Sequence, residues 1–141
     1  MATILDGTFF CSREFGKLMV AQKSGSIINI ASIAGIIAND ILPLTHYAAA
    51  KAGVISLTKS LAVEWATSGV RVNAIAPTYI ETDMIESVRG TPIWDLLISK
   101  QPIQRFGTAV EIASIVAFLA SDASSLITGS IVVADGGAIA I

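Results

Sequence analysis

Three short runs rich in β-branched residues, separated by stretches long enough for helices, constrain the fold of this chain most. They cover residues 26–31, 70–76 and 131–134, and glycine, serine or proline bounds each of them. Their apolar character indicates strands that are buried on both faces. Strands that alternate with helices form parallel sheets joined by right-handed crossovers. We therefore expect a single α/β domain over residues 1–141, a partial three-layer sandwich with about three parallel core strands.

Apolar residues recur at helical spacing in three segments between these runs. The helices are predicted over residues 7–21, 45–65 and 109–120, with Thr45 as the N-cap of the second. Residues 33–44 and 77–84 are predicted to be loops. The region up to residue 100 is expected to be helical and mobile, broken at Gly90 and Pro92. The apolar tail up to Ile141 is expected to be buried in a contact.

Composition excludes several classes of function. Hydrophobic residues make up 53% of the chain, but the longest uncharged run, residues 24–39, contains three serines and two asparagines and is too short to span a membrane. The net charge is −2 with scattered basic residues, so neither nucleic acid nor an anionic membrane is an expected partner. The single Cys11 and the single His46 exclude an internal disulfide and a metal site built from several such ligands.

Two further expectations follow from the same observations. A chain this apolar should bury surface in subunit contacts, which predicts an oligomer. The first residues do not combine a basic start, an apolar core and a small-residue cleavage site. A cytoplasmic location is therefore expected.

Tyr47 and Lys51 form the strongest candidate for a chemical site. They are four residues apart in a predicted helix, so both side chains lie on one face, one turn apart. A cation near a phenol favours the phenolate, which makes a tyrosine usable as an acid or base. The alternative is a purely structural role, in which the Tyr47 ring is packed and the Lys51 amine is solvated. Ser32 follows the first predicted strand, and ligands of open α/β sheets bind at that end of the strands.

Four segments in order resemble the short-chain dehydrogenase/reductase family along nearly the whole chain. They are the run at 25–32 that ends in Ser32, the Tyr-x-x-x-Lys of Tyr47 and Lys51, the run at 71–77 and Asp135-Gly136-Gly137. The resemblance implies a Rossmann-like fold and hydride transfer between NAD or NADP and a small alcohol or carbonyl substrate. It also implies a homodimer or homotetramer, in which the helices from Gly7 and Thr45 and the last strand make the subunit contacts.

The resemblance also implies a role for each matching residue. Tyr47 would be the general acid or base, Lys51 would stabilise its phenolate and bind the cofactor ribose, and Ser32 would orient the substrate oxygen. The nicotinamide would lie against a loop that follows the second strand. There the cofactor-binding residues would be Pro77, Thr78, Ile80 through its backbone and Thr82 through its hydroxyl. For Thr82, capping of the following helix is the alternative.

Four features depart from the family pattern. Ile4 stands where the family commonly has a relay asparagine, and Thr78 stands where it usually has glycine. Ser32 and Tyr47 are 15 positions apart, more than is usual. The Gly-rich turn that opens the family's cofactor-binding half is not found, so the chain resembles the catalytic C-terminal portion alone.

Two hypotheses of function remain, and a third is disfavoured. The first is an NAD(P)-dependent oxidoreductase, and segments 61–65 and 73–77 resemble members that act on polyols and sugar acids. The second is a non-catalytic remnant that folds and oligomerises without binding a dinucleotide. A serine hydrolase using Ser32 and His46 is disfavoured because no Gly-x-Ser-x-Gly motif is present.

Overall fold

Three parallel strands form the sheet of the computed structural model, which describes residues 1–39 and 41–140 apart from the side chain of Met84. The strands are β1 (Gly25–Ile30), β2 (Val70–Pro77) and β3 (Ile131–Ala134), in the spatial order β1-β2-β3. Gly25 lies opposite Val70, and Ala74 lies opposite Ile131. The predicted α/β class and the parallel arrangement are confirmed. The expectation for Ile141 lies outside the described residues.

Five α-helices connect and flank these strands within the described residues. They are α1 (Gly7–Gln22), α2 (Thr45–Trp65), α3 (Asp83–Glu86), α4 (Pro92–Ser99) and α5 (Ala109–Ala120). A π-helical turn at Ala2–Asp6 leads into α1, so helical backbone begins earlier than the sequence predicted. The break between α3 and α4 includes Gly90, whose φ of 74° suits glycine. In residues 1–39 and 41–140, no helix has both the length and the apolar content to cross a bilayer.

Helices cover both faces of the sheet, as the side chains of β1 show. The Asn29 amide donates to Thr58 Oγ1 of α2 at 3.0 Å, whereas Ser26 Oγ donates to the Leu119 carbonyl of α5 at 2.8 Å. Because positions 26 and 29 differ in parity, their side chains point to opposite faces of the strand. Helix α1 joins α2 on the first face, where Ser12 contacts Asn29. The structure is therefore three-layered.

The core lies around β2, the middle strand. Val72, Ala74, Ile75 and Ala76 are fully buried, which explains why this run is apolar without alternation. The one polar residue among them, Asn73, is satisfied because its amide donates to the Ile127 carbonyl and its oxygen accepts from the Ser130 amide.

Hydrogen bonds from Arg71 connect the start of β2 to the end of α5. Its Nη1 donates to the Leu119 carbonyl and to Ser124 Oγ, both at 2.9 Å, and its Nη2 donates to the Ser121 carbonyl at 3.1 Å. The last carbonyls of a helix lack intrahelical partners, and the negative end of the helix dipole attracts a cation. The Arg71 guanidinium thus adds charged donors at the carboxyl end of α5, where Ser26 Oγ and Ser124 Oγ also donate to the Leu119 carbonyl.

Two predicted boundaries were wrong. Thr45 is not the N-cap of α2, because Leu44 accepts the first intrahelical hydrogen bond, from the Ala48 amide at 2.8 Å. Pro77 does not stop β2 but is its last residue, opposite Ala134. Its ring nitrogen faces the side of β1 beyond the end of that strand, so proline costs no ladder hydrogen bond there.

Candidate active site

The carboxyl end of β1 carries Ser32 into a short 3₁₀ turn at Ile33–Gly35. Ser32 Oγ accepts a hydrogen bond from the Ala34 amide at 3.1 Å, so the hydroxyl caps this turn. A hydroxyl that accepts one bond still has its own proton to donate. Ser32 thus has a local structural role and a donor that this contact does not use.

The turn after Ser32 lies directly on α2. A Cβ added at Gly35 would be 2.7 Å from the Ala52 amide nitrogen and 2.7 Å from the Lys51 carbonyl carbon, well inside van der Waals contact. Only glycine permits this approach. The packing holds the segment that begins with Ser32 against the helical turn that carries Lys51, so the structure brings these two predicted residues onto touching segments.

Tyr47 and Lys51 lie on one face of α2, as their spacing predicted. Lys51 Nζ is 5.6 Å from the centroid of the Tyr47 ring, within the range of a cation–π contact. The same ammonium donates to the Ile30 carbonyl at 2.7 Å, at the end of β1. Partial burial lowers the pKa of Lys51 below its usual value. His46, by contrast, is exposed, and among the described residues no hydrogen bond joins it to Ser32.

An open groove of about 700 Å³ runs between α1 and the outer edge of β1, and Lys51 lies in its lining. Lys51 is the only charged side chain among the described residues that line it. Ile4 also lines the groove and packs against the core near Val54. Ile4, which stands where the family commonly has a relay asparagine, therefore lies in the same groove as Lys51. Its side chain has no polar atom that could take part in a proton relay.

The loop after β2 presents two groups that its own fold leaves unused. Ile80 forms a parallel bridge with Gly107, in which Tyr79 O accepts from the Gly107 amide and the Glu81 amide donates to Gly107 O. The amide and carbonyl of Ile80 itself therefore point the other way. Thr82 is the N-cap residue of α3, but its side chain makes no capping bond.

Thr78 and Pro77 precede these groups. Thr78 is half-buried, and its backbone does not adopt the left-handed conformation that would require glycine. Its amide donates to the Ala134 carbonyl at 3.2 Å, which continues the β2–β3 pairing past Pro77. A β-branched residue is therefore accommodated here without backbone strain.

A contact between two loops was not predicted from sequence. The Asn39 amide donates to the Tyr79 hydroxyl at 3.0 Å, and Asn39 Oδ1 accepts from the amides of Ile41 and Leu42. The bond ties the loop before α2 to the loop after β2, so both flank the carboxyl end of the sheet as one unit. No local pattern in the sequence indicates this bond, because its two partners are 40 positions apart.

An aromatic cluster attaches α4 to the loop after β2. Trp94 meets the buried Phe106 edge-on at 4.5 Å between ring centroids, and Tyr79 lies 6.1 Å from Phe106. Arg89 stacks over Trp94. Helix α4 thus lies against the loop that contains Tyr79. Among the described residues, no three His, Cys, Asp or Glu side chains lie close enough to hold a metal ion.

Comparisons with known proteins identify relatives along nearly the whole chain. The family model described as enoyl-(acyl carrier protein) reductase matches residues 1–138. Galactitol 2-dehydrogenase from Rhizobium johnstonii is 50% identical over 137 residues, which cover 94% of this chain and 52% of that relative. A 3-oxoacyl-[acyl-carrier-protein] reductase from Synechocystis is 46% identical over 134 residues, covering 94% of this chain and 52% of that relative.

The fold is also similar to that of a solved structure. A gluconate 5-dehydrogenase from Burkholderia cenocepacia, in complex with NADP and tartrate, superposes with a TM-score of 0.89 at 33% identity, covering 97% of this chain and 53% of that chain. The chain spans about half the length of the curated relatives it matches. The family model matches nearly every residue, Ser32 follows strand β1, and Tyr47 and Lys51 lie on α2. The chain therefore belongs to the short-chain dehydrogenase/reductase family.

Proposed function

We propose that this chain supplies the acid/base part of an NAD(P)-dependent oxidoreductase that interconverts an alcohol and a carbonyl. One observation carries the proposal: the Lys51 ammonium lies 5.6 Å from the Tyr47 ring, on a helix that packs against the turn following Ser32. A phenol with a cation beside it is the group that such a reaction needs at the substrate oxygen.

In the direction of alcohol oxidation, the substrate hydroxyl gives its proton to the Tyr47 oxygen while a hydride leaves the same carbon. Tyr47 must begin as a phenolate, and the positive charge of Lys51 stabilises that form. Ser32 donates its unused proton to the substrate oxygen and orients it. Lys51 uses one of its three N–H groups on Ile30, so two remain for other partners. Bound NAD or NADP would accept the hydride.

The loop after β2 fits the nicotinamide end of such a cofactor. A carboxamide has an acceptor oxygen and a donor amino group. The backbone amide and carbonyl of Ile80, which point away from Gly107, and the Thr82 hydroxyl, which makes no capping bond, could pair with these groups. Pro77 and Thr78 form the adjoining wall. These four residues, with Tyr47 and Lys51, are our proposed cofactor contacts.

For the substrate we propose a polyol or a sugar acid. Support comes from two relatives, one named a galactitol 2-dehydrogenase and one a gluconate 5-dehydrogenase. The loops joined by Asn39 and Tyr79, together with α4, flank the proposed substrate position and would select among such molecules.

We also propose a homodimer or homotetramer in the cytoplasm. Helix α1 exposes Phe10, Phe15 and Leu18 to 51%, 59% and 67% of their surface, more apolar surface than one helix face of a monomer usually shows. Sedimentation that gives a sharp monomer mass would contradict the oligomer.

A non-catalytic remnant is the second candidate, and one observation favours it. Within the described residues β1 pairs only with β2, so its outer edge is open, and the chain covers about half of its relatives. NADH and NADPH titrations, followed by quenching of Trp65 and Trp94, separate the two candidates. Binding in the micromolar to millimolar range supports the oxidoreductase; no binding of either nucleotide supports the remnant.

A tyrosine pair provides the matched test of mechanism, because the chain has only two tyrosines. Oxidation of a polyol panel in the presence of NAD or NADP is measured for the chain. Tyr47→Phe should lower kcat by about 100-fold or more, since it removes the acid/base group. Tyr79→Phe removes the other phenol and its bond to Asn39, so it should raise KM but leave kcat within a few-fold. Equal losses in both variants would contradict the role of Tyr47.

A further inference from the structure

The side-chain amide of Asn39 has only one possible orientation, because backbone donors fix its oxygen. Asn39 Oδ1 accepts hydrogen bonds from the Ile41 amide at 2.9 Å and from the Leu42 amide at 2.7 Å. A side-chain amide has one acceptor oxygen and one donor nitrogen. The group that faces the Tyr79 hydroxyl at 3.0 Å is therefore the nitrogen, which can only donate.

This orientation decides how the Tyr79 hydroxyl is used. Because Asn39 donates, the phenol oxygen is the acceptor of their bond, and its own proton must point elsewhere. Among the described residues, no hydrogen bond takes up that proton. Tyr79 thus presents an unused donor whose direction is set by a neighbouring side chain.

The position of this donor suits a bound substrate. The Tyr79 ring is half-buried and packs 6.1 Å from the Phe106 ring, so it is held in place from behind. Tyr79 belongs to the loop after β2, and Asn39 belongs to the segment between Ser32 and α2. Ligands of open α/β sheets bind outside the carboxyl ends of the strands, where both loops lie. A polyol carries several oxygens besides the one that reacts, and each can accept a hydrogen bond.

We propose that the Tyr79 hydroxyl, oriented by Asn39, donates a hydrogen bond to a substrate oxygen that does not react. The inference rests on the proposed function for the position of the substrate. It makes Tyr79 a substrate-binding residue. Asn39 is a positioning residue that acts through Tyr79, because it prevents the phenol proton from turning towards the loop.

Asn39→Asp is the decisive variant, because it keeps the contact between the two loops but reverses its direction. One carboxylate oxygen still accepts from the Ile41 and Leu42 amides, and the other can only accept, so the phenol proton turns towards it. The phenol is then present without a proton for the substrate. Asn39→Asp should weaken galactitol binding about fivefold, as should Tyr79→Phe, which removes the hydroxyl. Ala38→Asp is the matched control, because it adds the same charge at an exposed neighbouring position.

Binding is measured on the full chain by NMR, from the shift of the backbone amide of residue 79 during titration with galactitol, with and without NADH. Saturable shifts at millimolar galactitol are expected for the parent, and Ala38→Asp should bind like the parent. The absence of saturable shifts under both conditions overturns the proposal.

Two further results would also overturn it. Parent-like binding by Asn39→Asp would mean that Tyr79 only joins the two loops. Equal weakening by Ala38→Asp and Asn39→Asp would mean that charge, and not the lost donor, is the cause. Because the readout does not use turnover, failure of the oxidoreductase proposal is seen separately, as a parent that binds galactitol without oxidising it.

Discussion

Substitution of Gly35 by alanine tests the contact between the turn after Ser32 and helix α2. The new Cβ would be 2.7 Å from two backbone atoms, at Lys51 and Ala52, about 0.7 Å short of an ordinary contact. Backbone atoms in a helix cannot rotate away, so one segment must shift. Overpacking of this kind costs about 1–3 kcal/mol of folding free energy. We expect Gly35→Ala to lower the free energy of unfolding by about 2 kcal/mol.

Urea unfolding followed by circular dichroism measures this cost. With an m-value of about 2 kcal/mol per molar, a loss of 2 kcal/mol moves the midpoint down by about 1 M. Gly7→Ala is the matched control, because its added Cβ would meet nothing closer than 3.8 Å at the start of α1. That variant should be as stable as the parent or slightly more stable. If Gly35→Ala unfolds at the parent midpoint, the packing of Ser32's turn on Lys51's helix is not as described.

Three further predictions concern contacts outside that turn. Arg71→Met should lower the free energy of unfolding by about 2 kcal/mol in urea titrations, because it removes the charge-assisted hydrogen bonds to the Leu119 and Ser121 carbonyls. Arg71→Lys should restore only part of this loss, and full restoration would contradict the forked contact. Arg105 and the capping contacts hold the pKa of Glu111 at about 2, so its stabilisation is present above pH 4.5 and lost towards pH 2. Glu111→Gln should therefore flatten acid unfolding over that interval, and an unchanged acid profile would refute this role. Thr58→Val should cost about 1–3 kcal/mol of unfolding free energy because it leaves the buried Asn29 amide unpaired, whereas Thr58→Ser should cost much less; equal losses would point to packing instead.

The regular elements were predictable because their signals are local. The run around Ile75 is apolar since helices cover both faces of β2, and that burial is what its composition indicates. The relative placement of Tyr47 and Lys51 follows from helical periodicity alone. The prediction that Thr45 is the N-cap of α2 was wrong. Threonine is a good capping residue, but here it lies one position inside the helix, because the Leu44 carbonyl accepts the first intrahelical hydrogen bond.

The contacts between irregular segments could not be predicted in this way. The partners Asn39 and Tyr79 are joined across 40 positions by loops with no periodicity, so no pattern in either loop indicates the other. The burial of Gln101 depends on how the chain after α4 passes over the end of β3. The residue types of the proposed site could be identified from the sequence. The close contact of Gly35 with the backbone of Lys51 and Ala52 could not, because it forms only when the turn packs against α2.

The register of the sheet has a consequence for the order of events in folding. Gly25 pairs with Val70 and Ala74 with Ile131, separations of 45 and 57 positions, so each strand pair closes a loop that contains at least one helix. Closing such loops costs chain entropy before any ladder bond forms, which slows folding relative to helical proteins of the same size. On the ribosome, β2 stays exposed on one edge until β3 has emerged. Over that interval the most buried strand of the chain depends on early contacts with α2 to remain protected from intermolecular pairing.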